Sequence, residues 1–435
     1  MSHLLLVVLF LFSNIAVFAQ DMGIEREFDV EKSVFYAERN RKEILVAEKE
    51  IELARERIKE ANSFNFPKID LTFNYSELNT DQMMVLPPSF SSILLPVPAP
   101  DSLNHYFFTR LSLWQQLYTG GRYSSNLKLA DSSLKRAELQ LIINKNDIGY
   151  EAKKSYYNLL YIEKKIQLYS VIISSIETIV ASAYGPSFPN PANQLTDKQI
   201  QIFNILSGIK KDYEILQNNY FLSRLDFLNT LGIELDTEFR ITGSFEPIIR
   251  EYDVNKLGVW SFQYRSEPKM IQLQEQVDAL GMKLSMAMRY PTVTLGAQYE
   301  YAGEELKFAE KNWNATINMY IPIFDGWAYW SRVRQKDIQV RQNKLNMKDI
   351  EDTIRLQLQK AFNDYNYRCA LVKSTQKELI RWESLHGSVN RYDTNSIVEW
   401  YKSYLTVQQN YMDSVFYNLV AYASLEHSLG KSLEE

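Results

Sequence analysis

The sequence predicts an α+β membrane protein: long coiled-coil helical hairpins, four β-strands in each chain, and an internal duplication of the whole pattern. Three observations predict it. Gly (15) and Pro (13) together make up only about 6% of the 435 residues, roughly half their usual share, so breaks are few and regular elements are long. Four runs of about 9–12 residues alternate apolar and polar side chains, the pattern of a strand with one apolar and one polar face. The order helix, strand, loop, strand, long helix, returning helix then occurs twice.

Composition removes several alternatives. Lys and Arg total 48 against 53 Asp and Glu, a net charge of −5, so the chain lacks the basic stripe that a nucleic-acid partner requires. A mean hydropathy of −0.30 with 23% charged residues excludes a polytopic helical membrane protein. Cys369 is the only cysteine, which excludes an intramolecular disulfide and a Cys-based metal cluster. Aromatic residues reach 13%, with 28 Tyr.

Residues 4 to 12 are Leu-Leu-Leu-Val-Val-Leu-Phe-Leu-Phe, and Val17-Phe18-Ala19 follows. This is a signal-peptide h-region with cleavage between Ala19 and Gln20, so residues 1–19 are assigned to a leader. The competing reading, a single N-terminal anchor, suffers from an apolar run shorter than the ~20 residues of a spanning helix. No Cys near the cleavage site offers a lipid attachment point. Beyond residue 20 no apolar run of ~18 residues is expected, so membrane insertion would have to be by strands.

From Phe28 to Phe64 the positions Ile44, Ala47, Ile51, Ala54, Ile58 and Ala61 form a narrow heptad seam, and Phe66-Pro67 ends the helix. Ile69 to Ser76 alternates strictly. A long loop carries Pro87, Pro88, Pro96, Pro98 and Pro100, and a second strand-like run from Phe107 to Tyr118 leads to Thr119-Gly120-Gly121-Arg122. Tyr123 to about Ala183 reads as one helix of roughly 60 residues, on the order of 90 Å at 1.5 Å per residue. Gly185-Pro186 through Pro191 breaks it, and a helix from about Gln194 returns to Leu231-Gly232.

The order recurs from about Asn255. Leu273, Val277, Leu280, Leu284 and Ala287 form a seam ending at Tyr290-Pro291, the echo of Phe66-Pro67. Val293 to Tyr299 alternates; Trp313 to Phe324 follows a short polar loop; Asp325-Gly326 takes the place of Thr119-Gly120. A helix from Trp327 to about Leu385, a turn at Asp393 to Ser396 and a last helix ending at Leu429-Gly430 complete the copy. The expected division is a first repeat over 20–254, with β-hairpin 68–118, helical hairpin 122–232 and linker 233–254. A second repeat covers 255–435, with β-hairpin 291–324 and helical hairpin 327–430.

On the strands, Ile69, Leu71, Phe73 and Tyr75 oppose Asp70, Thr72, Asn74 and Ser76. Phe107, Thr109, Leu111 and Leu113 oppose Arg110, Ser112 and Trp114. Val293, Leu295, Ala297, Tyr299 and Tyr301 oppose Thr294, Gly296, Gln298 and Glu300. Trp313, Ala315, Ile317, Met319, Ile321 and Ile323 oppose Asn314, Thr316, Asn318 and Tyr320. Two half-buried hairpins on a soluble core would also alternate, but the narrow helical seams leave no broad apolar face to cover a sheet. Lipid tolerates no open strand edge, and barrels begin at about 8 strands. A lipid-embedded reading therefore requires several copies, and three would give 12 strands around a polar lumen. Its lining residues would be Asp70, Thr72, Asn74, Ser76, Arg110, Thr294, Gln298, Glu300, Asn314, Thr316 and Asn318.

In both halves of the mature chain these features resemble the TolC / outer membrane efflux protein (OEP) family. The resemblance rests on Phe66-Pro67-Lys68-Ile69 before a strand, Leu117-Tyr118-Thr119-Gly120-Gly121-Arg122 opening the long helix, Ser155-Tyr156-Tyr157-Asn158-Leu159-Leu160 within it, and helices closing at Leu-Gly. It implies a homotrimer whose 12-stranded outer-membrane β-barrel continues into an α-helical tunnel, the α-barrel, across the periplasm of a Gram-negative cell. It also implies two partners, a periplasmic adaptor (membrane fusion) protein and an inner-membrane pump, proton-driven or of the ABC type. The function implied is that of a passive exit duct in a tripartite efflux or type I secretion system, with no cofactor. The chain departs from the family at the tips, where Asn395 stands in a turn that often carries Gly and Gly185-Pro186 with Pro189-Asn190-Pro191 rebuilds the other. The long loop 77–105, with Met83, Met84, Val85, Leu86, Leu94 and Leu95, either packs on neighbouring loops or folds over the pore mouth.

Catalytic and metal-binding patterns are missing from the sequence. His105, His386 and His427 show no His-Glu-x-x-His spacing, Cys369 reads as a packed or partly exposed thiol and not a nucleophile, and Gly120-Gly121 lacks the rest of a phosphate loop. No enzyme is expected. Near the tips, Asp197, Arg391, Asp393 and Glu399 are candidates for a periplasmic gate, with helix capping as the alternative for the Asp residues. Two rivals to the duct remain: an exported coiled-coil scaffold without a pore, and a receptor or assembly factor sealed by the 77–105 loop.

Overall fold

The computed structural model describes residues 27–77, 105–185, 196–303, 312–389 and 393–433. In chain order the elements are β1 (Glu27–Phe28), α1 (Val30–Asn40), α2 (Lys42–Ser63), β2 (Lys68–Glu77), β3 (His105–Tyr118), α3 (Arg122–Tyr184) and α4 (Asp197–Leu231). There follow β4 (Arg240–Ile241), α5 (Val254–Tyr264), α6 (Glu267–Ala287), β5 (Thr292–Gly303), β6 (Asn312–Tyr320), α7 (Ala328–Val389) and α8 (Thr394–Leu429). The 77–105 loop falls almost wholly outside the described residues, as do 186–195 and Arg391.

The chain divides into two compact units, each drawing on both sequence halves: 1–40 with 149–248 and 368–420, and 41–148 with 249–367 and 421–435. In the first unit, α3 buries Tyr169, Ile172, Ile176 and Val180 against Ile202 and Ile209 of α4 and Val398 and Leu405 of α8. On α3 these residues recur every three or four positions and on α4 and α8 every seven, so each helix buries one stripe against its neighbours. At the other end of this unit Phe28 of β1 makes edge-on contacts with Tyr36, Phe227 and Phe239, and β1 pairs in parallel with β4. Tyr156 donates to the Thr242 carbonyl at 2.8 Å; burial drives its phenol up to about 12. A second polar link joins α3 to α8, where Lys165 donates to Tyr161 Oη (2.7 Å) and Asp413 Oδ1 (3.1 Å), and Tyr161 donates to the same carboxylate.

The second unit holds one antiparallel sheet in the order β2-β3-β5-β6. Its apolar side is open at both edges: Leu71 and Phe73 of β2 and Trp313 and Ile317 of β6 are between 58% and 73% exposed. The junctions that launch the strands repeat closely. After α2, Phe64 stays helical (φ −62°, ψ −16°); after α6, Met288 does the same (φ −65°, ψ −16°). After β3 the chain turns through Gly120 and Gly121 (φ 64° and 85°), and after β6 through Gly326 and Trp327 (φ 65° and 69°). Gly232 and Gly430 close α4 and α8 in the left-handed region (φ 68° and 70°), as the Leu-Gly endings predict.

Four expectations need correction. The helix read over Phe28 to Phe64 breaks at Arg41, which is extended (φ −62°, ψ 126°); nothing in the sequence around it explains the break. The last strand ends at Tyr320 and not at Phe324, because Pro322 has no N–H to give the ladder; Ile321 and Ile323 lie beyond it. Asn395 does not take a left-handed turn: it lies inside α8, whose N-cap position is Asp393. Finally, α3 does pass a length-and-hydropathy test for a membrane span, with a window of mean hydropathy 1.5. Within this helix Tyr169, Ile172, Ile176 and Val180 are buried against α4 and α8, while 22% of the apolar window as a whole is buried.

Candidate functional site

Most polar residues of the strands share one side of the sheet. Directly paired residues lie on the same face, and the register gives continuous rows: Asp70–Ser112–Gln298–Asn314 and Thr72–Arg110–Glu300–Asn312. A further row runs Gln116–Thr294–Asn318, and Lys68–Trp114–Gly296–Thr316 joins Thr316 to the same side. Asn74 and Ser76 lie on this face of β2 opposite Phe108 and Tyr106. The other side carries Ile69–Leu113–Ala297–Ala315 and Leu71–Leu111–Tyr299–Trp313. The eleven strand residues expected to face a lumen thus occupy a single surface of the four-stranded sheet.

Two arrangements on that surface were not evident from the sequence. Arg110 Nε and Nη2 both donate to Glu300 Oε2, at 3.0 and 2.9 Å, and the guanidinium lies 4.5 Å from the Phe108 ring centroid. The two charges are directly opposed residues of β3 and β5, so the pair holds the first hairpin to the second. Trp114 lies over Gly296, where a Cβ would come within 2.7 Å of the indole Cζ3 and 3.0 Å of Thr316 Oγ1. Glycine here is a seat for the indole, a cross-strand relation that composition does not reveal.

At the helical tips the structure brings together Lys198 of α4 and Asp393 at the start of α8, 2.8 Å apart. Ser396 Oγ donates to Asp393 Oδ1 at 2.6 Å, and Asn395 Nδ2 donates to Gln201 Oε1 at 3.3 Å. The Lys198 ammonium, followed by Ser396, pulls the Asp393 carboxyl down to about 2. Asp393 therefore caps its own helix and pins it to α4 as well. Thr196 and Gln199 close a reciprocal capping box at the start of α4, a pattern readable from Thr-x-x-Gln. Asp197 is exposed in the first turn of α4, and Glu399 is exposed on α8, its carbonyl accepting from Ser403. Neither is drawn into the Lys198–Asp393 contact, and Arg391 lies outside the described residues.

Cys369 is buried, with its sulfur 3.3 Å from Asn418 Nδ2, while Asn418 Oδ1 accepts from the Ile248 amide at 2.8 Å. His427 Nε2 pairs with Asp147 at 2.7 Å; the side chains of His105 and His386 lie outside the described residues. Among the described residues no group of three or more His, Cys, Asp or Glu side chains converges on a point that could hold a metal.

Comparison with known proteins follows the same lines. Residues 36–184 match the protein family described as outer membrane efflux protein. No curated protein sequence matches the chain. Among solved structures the chain is similar to the outer membrane protein VceC of Vibrio cholerae, with a TM-score of 0.72 at 15% identity over 93% of this chain and 96% of that one. It is similar to the CmeC outer membrane channel of Campylobacter jejuni (0.69, 15%, over 92% and 85%) and to the open state of the MtrE outer membrane channel of Neisseria gonorrhoeae (0.69, 13%, over 93% and 89%). Residues 36–184, about a third of the chain, thus match the outer membrane efflux protein family, and the fold is shared with solved outer membrane channels over nine-tenths of the chain.

Proposed function

We propose that the chain is the outer-membrane exit duct of a tripartite efflux or type I secretion system. It conducts substrates passively, as a homotrimer, from a periplasmic adaptor and an inner-membrane pump to the outside. The observation that carries this reading is the two-faced sheet: one surface that carries the polar rows, one apolar surface open to its surroundings, and strands β2 and β6 left at its edges. In lipid every strand edge must be paired, so four strands with two edges call for further copies, and three supply the 12 strands of the family. The polar rows then face water, and the Leu71, Phe73, Trp313 and Ile317 side faces acyl chains.

The helices supply a wall and a periplasmic closure. The Lys198–Asp393 contact holds the start of α8 to the start of α4, and releasing it is the step that widens the tip. The sequence duplication, with its boundary at 254/255, is the origin of the two hairpins. The reading includes no cofactor and no enzymatic step. It is tested by washing bacterial membranes with carbonate and by recording the purified protein in planar bilayers. Retention in the outer-membrane fraction with discrete conductance steps is expected. Release by carbonate and silent bilayers would favour the coiled-coil scaffold.

A further inference from the structure

The duplication is kept to the residue within the sheet, and from it we infer the register of a strand pairing that one chain cannot contain: β6 of one copy against β2 of the next. The inference rests on the exit-duct reading, in which copies of the sheet close on one another.

The two hairpins can be aligned by backbone alone. β3 ends in a turn with two positive φ values at Gly120 and Gly121, and α3 begins at Arg122; β6 ends in the same turn at Gly326 and Trp327, and α7 begins at Ala328. β3 and β6 are therefore equivalents offset by 206 positions (Arg122 to Ala328). On the other side, the Asn65 and Phe66 amides donate to the Asn62 and Ser63 carbonyls before β2 starts at Lys68. The Arg289 and Tyr290 amides donate to the Met286 and Ala287 carbonyls before β5 starts at Thr292. β2 and β5 are equivalents offset by 224 positions (Lys68 to Thr292). The two offsets were obtained separately, and the pairing inside the hairpins tests them together: Lys68 opposite Trp114 becomes Thr292 opposite Tyr320, which is the pair observed.

Inside the chain the hairpins meet where β3 lies against β5, with Arg110 opposite Glu300. Around a ring of hairpins the corresponding junction between copies is β6 against β2. Carrying the internal junction across by the two offsets places Thr316 opposite Ser76 of the neighbouring copy, Asn318 opposite its Asn74 and Tyr320 opposite its Thr72. The intervening pairs become Ile317 with Tyr75 and Met319 with Phe73. Residues of the polar face thus meet residues of the polar face, and those of the apolar face meet the apolar face, at all five positions, whereas a slip by one residue would reverse every match. A row of paired residues entering at Lys68 and passing through Trp114, Gly296 and Thr316 arrives at Ser76 of the next copy. That stagger is the shear that tilted strands need to close. The position held by the Arg110–Glu300 ion pair within the chain is taken at the seam by two neutral hydroxyls, so the seam is joined by backbone ladders and apolar contacts.

Paired cysteines test the register in full-length protein carrying Cys369→Ser. Asn318→Cys with Asn74→Cys, and Thr316→Cys with Ser76→Cys, should each give an oxidant-dependent ladder of covalent dimer and trimer in outer membranes. Each single-cysteine variant should not, and Thr316→Cys with Thr72→Cys, four residues out of step, should not. Cross-linking of the out-of-step pair alone, or no cross-linking by either matched pair in protein whose mass in detergent is oligomeric, overturns the register and leaves the duct intact. A monomeric mass in detergent for the Cys369→Ser protein itself overturns the duct, and the register with it.

Discussion

Arg110 and Glu300 lie directly opposite each other on β3 and β5, the only two strands through which the hairpins of the duplication touch in the described sheet. Both Arg110 nitrogens within reach donate to one carboxylate oxygen, and the side chains retain 22% and 11% exposure. The pair therefore sits between the surface case, worth little, and the buried case, where losing one partner strands a charge. Glu300→Gln is expected to destabilise the folded protein by about 1–3 kcal/mol, read as a lower unfolding temperature in detergent. Arg110→Met with Glu300→Leu should recover part of that loss, since no charge is left unpaired. Equal losses in the single and double variants would show that the ion pair does not hold the junction.

Gly120 and Gly326 are equivalent turn residues in unequal surroundings. A Cβ on Gly120 would lie 2.6 Å from Tyr290 Cβ and 3.0 Å from the Ala287 carbonyl; on Gly326 it would meet nothing within 4 Å. Both have φ near 65°, so both alanine variants carry the left-handed penalty of about 1–2 kcal/mol. Gly120→Ala adds a backbone clash on the order of 1–3 kcal/mol. Thermal unfolding should rank Gly120→Ala well below Gly326→Ala, and equal values would contradict the packing at the first turn.

Gly296 should resist substitution for a different reason. Gly296→Val places branched carbons where the Trp114 ring lies, so the indole must leave the sheet surface. Protein with Trp114 as its single tryptophan, the other six replaced, should show a shifted emission maximum in Gly296→Val compared with the same background carrying Gly296. An unchanged maximum would mean that the ring is not seated on the glycine.

At the tip, Asp393→Ala should raise single-channel conductance, because it removes both the cap of α8 and its tie to Lys198. Lys198→Ala should raise it by a similar factor, and the double variant should add little to either single change. Unchanged conductance in Asp393→Ala would remove this contact from the gate.

The same contact has a defined pH dependence. The folded carboxyl of Asp393 is lowered from its ordinary 3.8 to about 2, so its stabilising contribution is complete above pH 3.8 and is lost as the pH falls through 2. Between pH 5 and 8 the closing effect of the pair should not vary. Conductance that rises between pH 7 and 5 in the wild type, and does so equally in Asp393→Ala, would assign that opening to other groups.

Much of this was legible in the chain because the strands are short, alternating and bounded by strong signals. Pro67, Pro291, Gly120 and Gly326 punctuate the sequence where the backbone changes, and the alternation of Ile69 to Ser76 allows only one face assignment. What was not legible depends on pairing across long separations. Nothing near Arg110 announces Glu300, nothing near Trp114 announces Gly296, and Lys198 gains its meaning only when the α4 and α8 starts are brought together. Trp327 shows the limit from the other side: its sequence position matches Gly121, yet a tryptophan at φ 69° is a conformation that residue preference argues against.

The central claim is that copies of the sheet close on one another in the outer membrane, and the mass of the protein extracted in mild detergent from that membrane tests it most directly. Light scattering corrected for bound detergent should return three chain masses, each at most 50.9 kDa, from material that carbonate does not release. A single chain mass, or protein that carbonate washes free, would contradict the barrel and leave the strands as a collar on a coiled-coil scaffold.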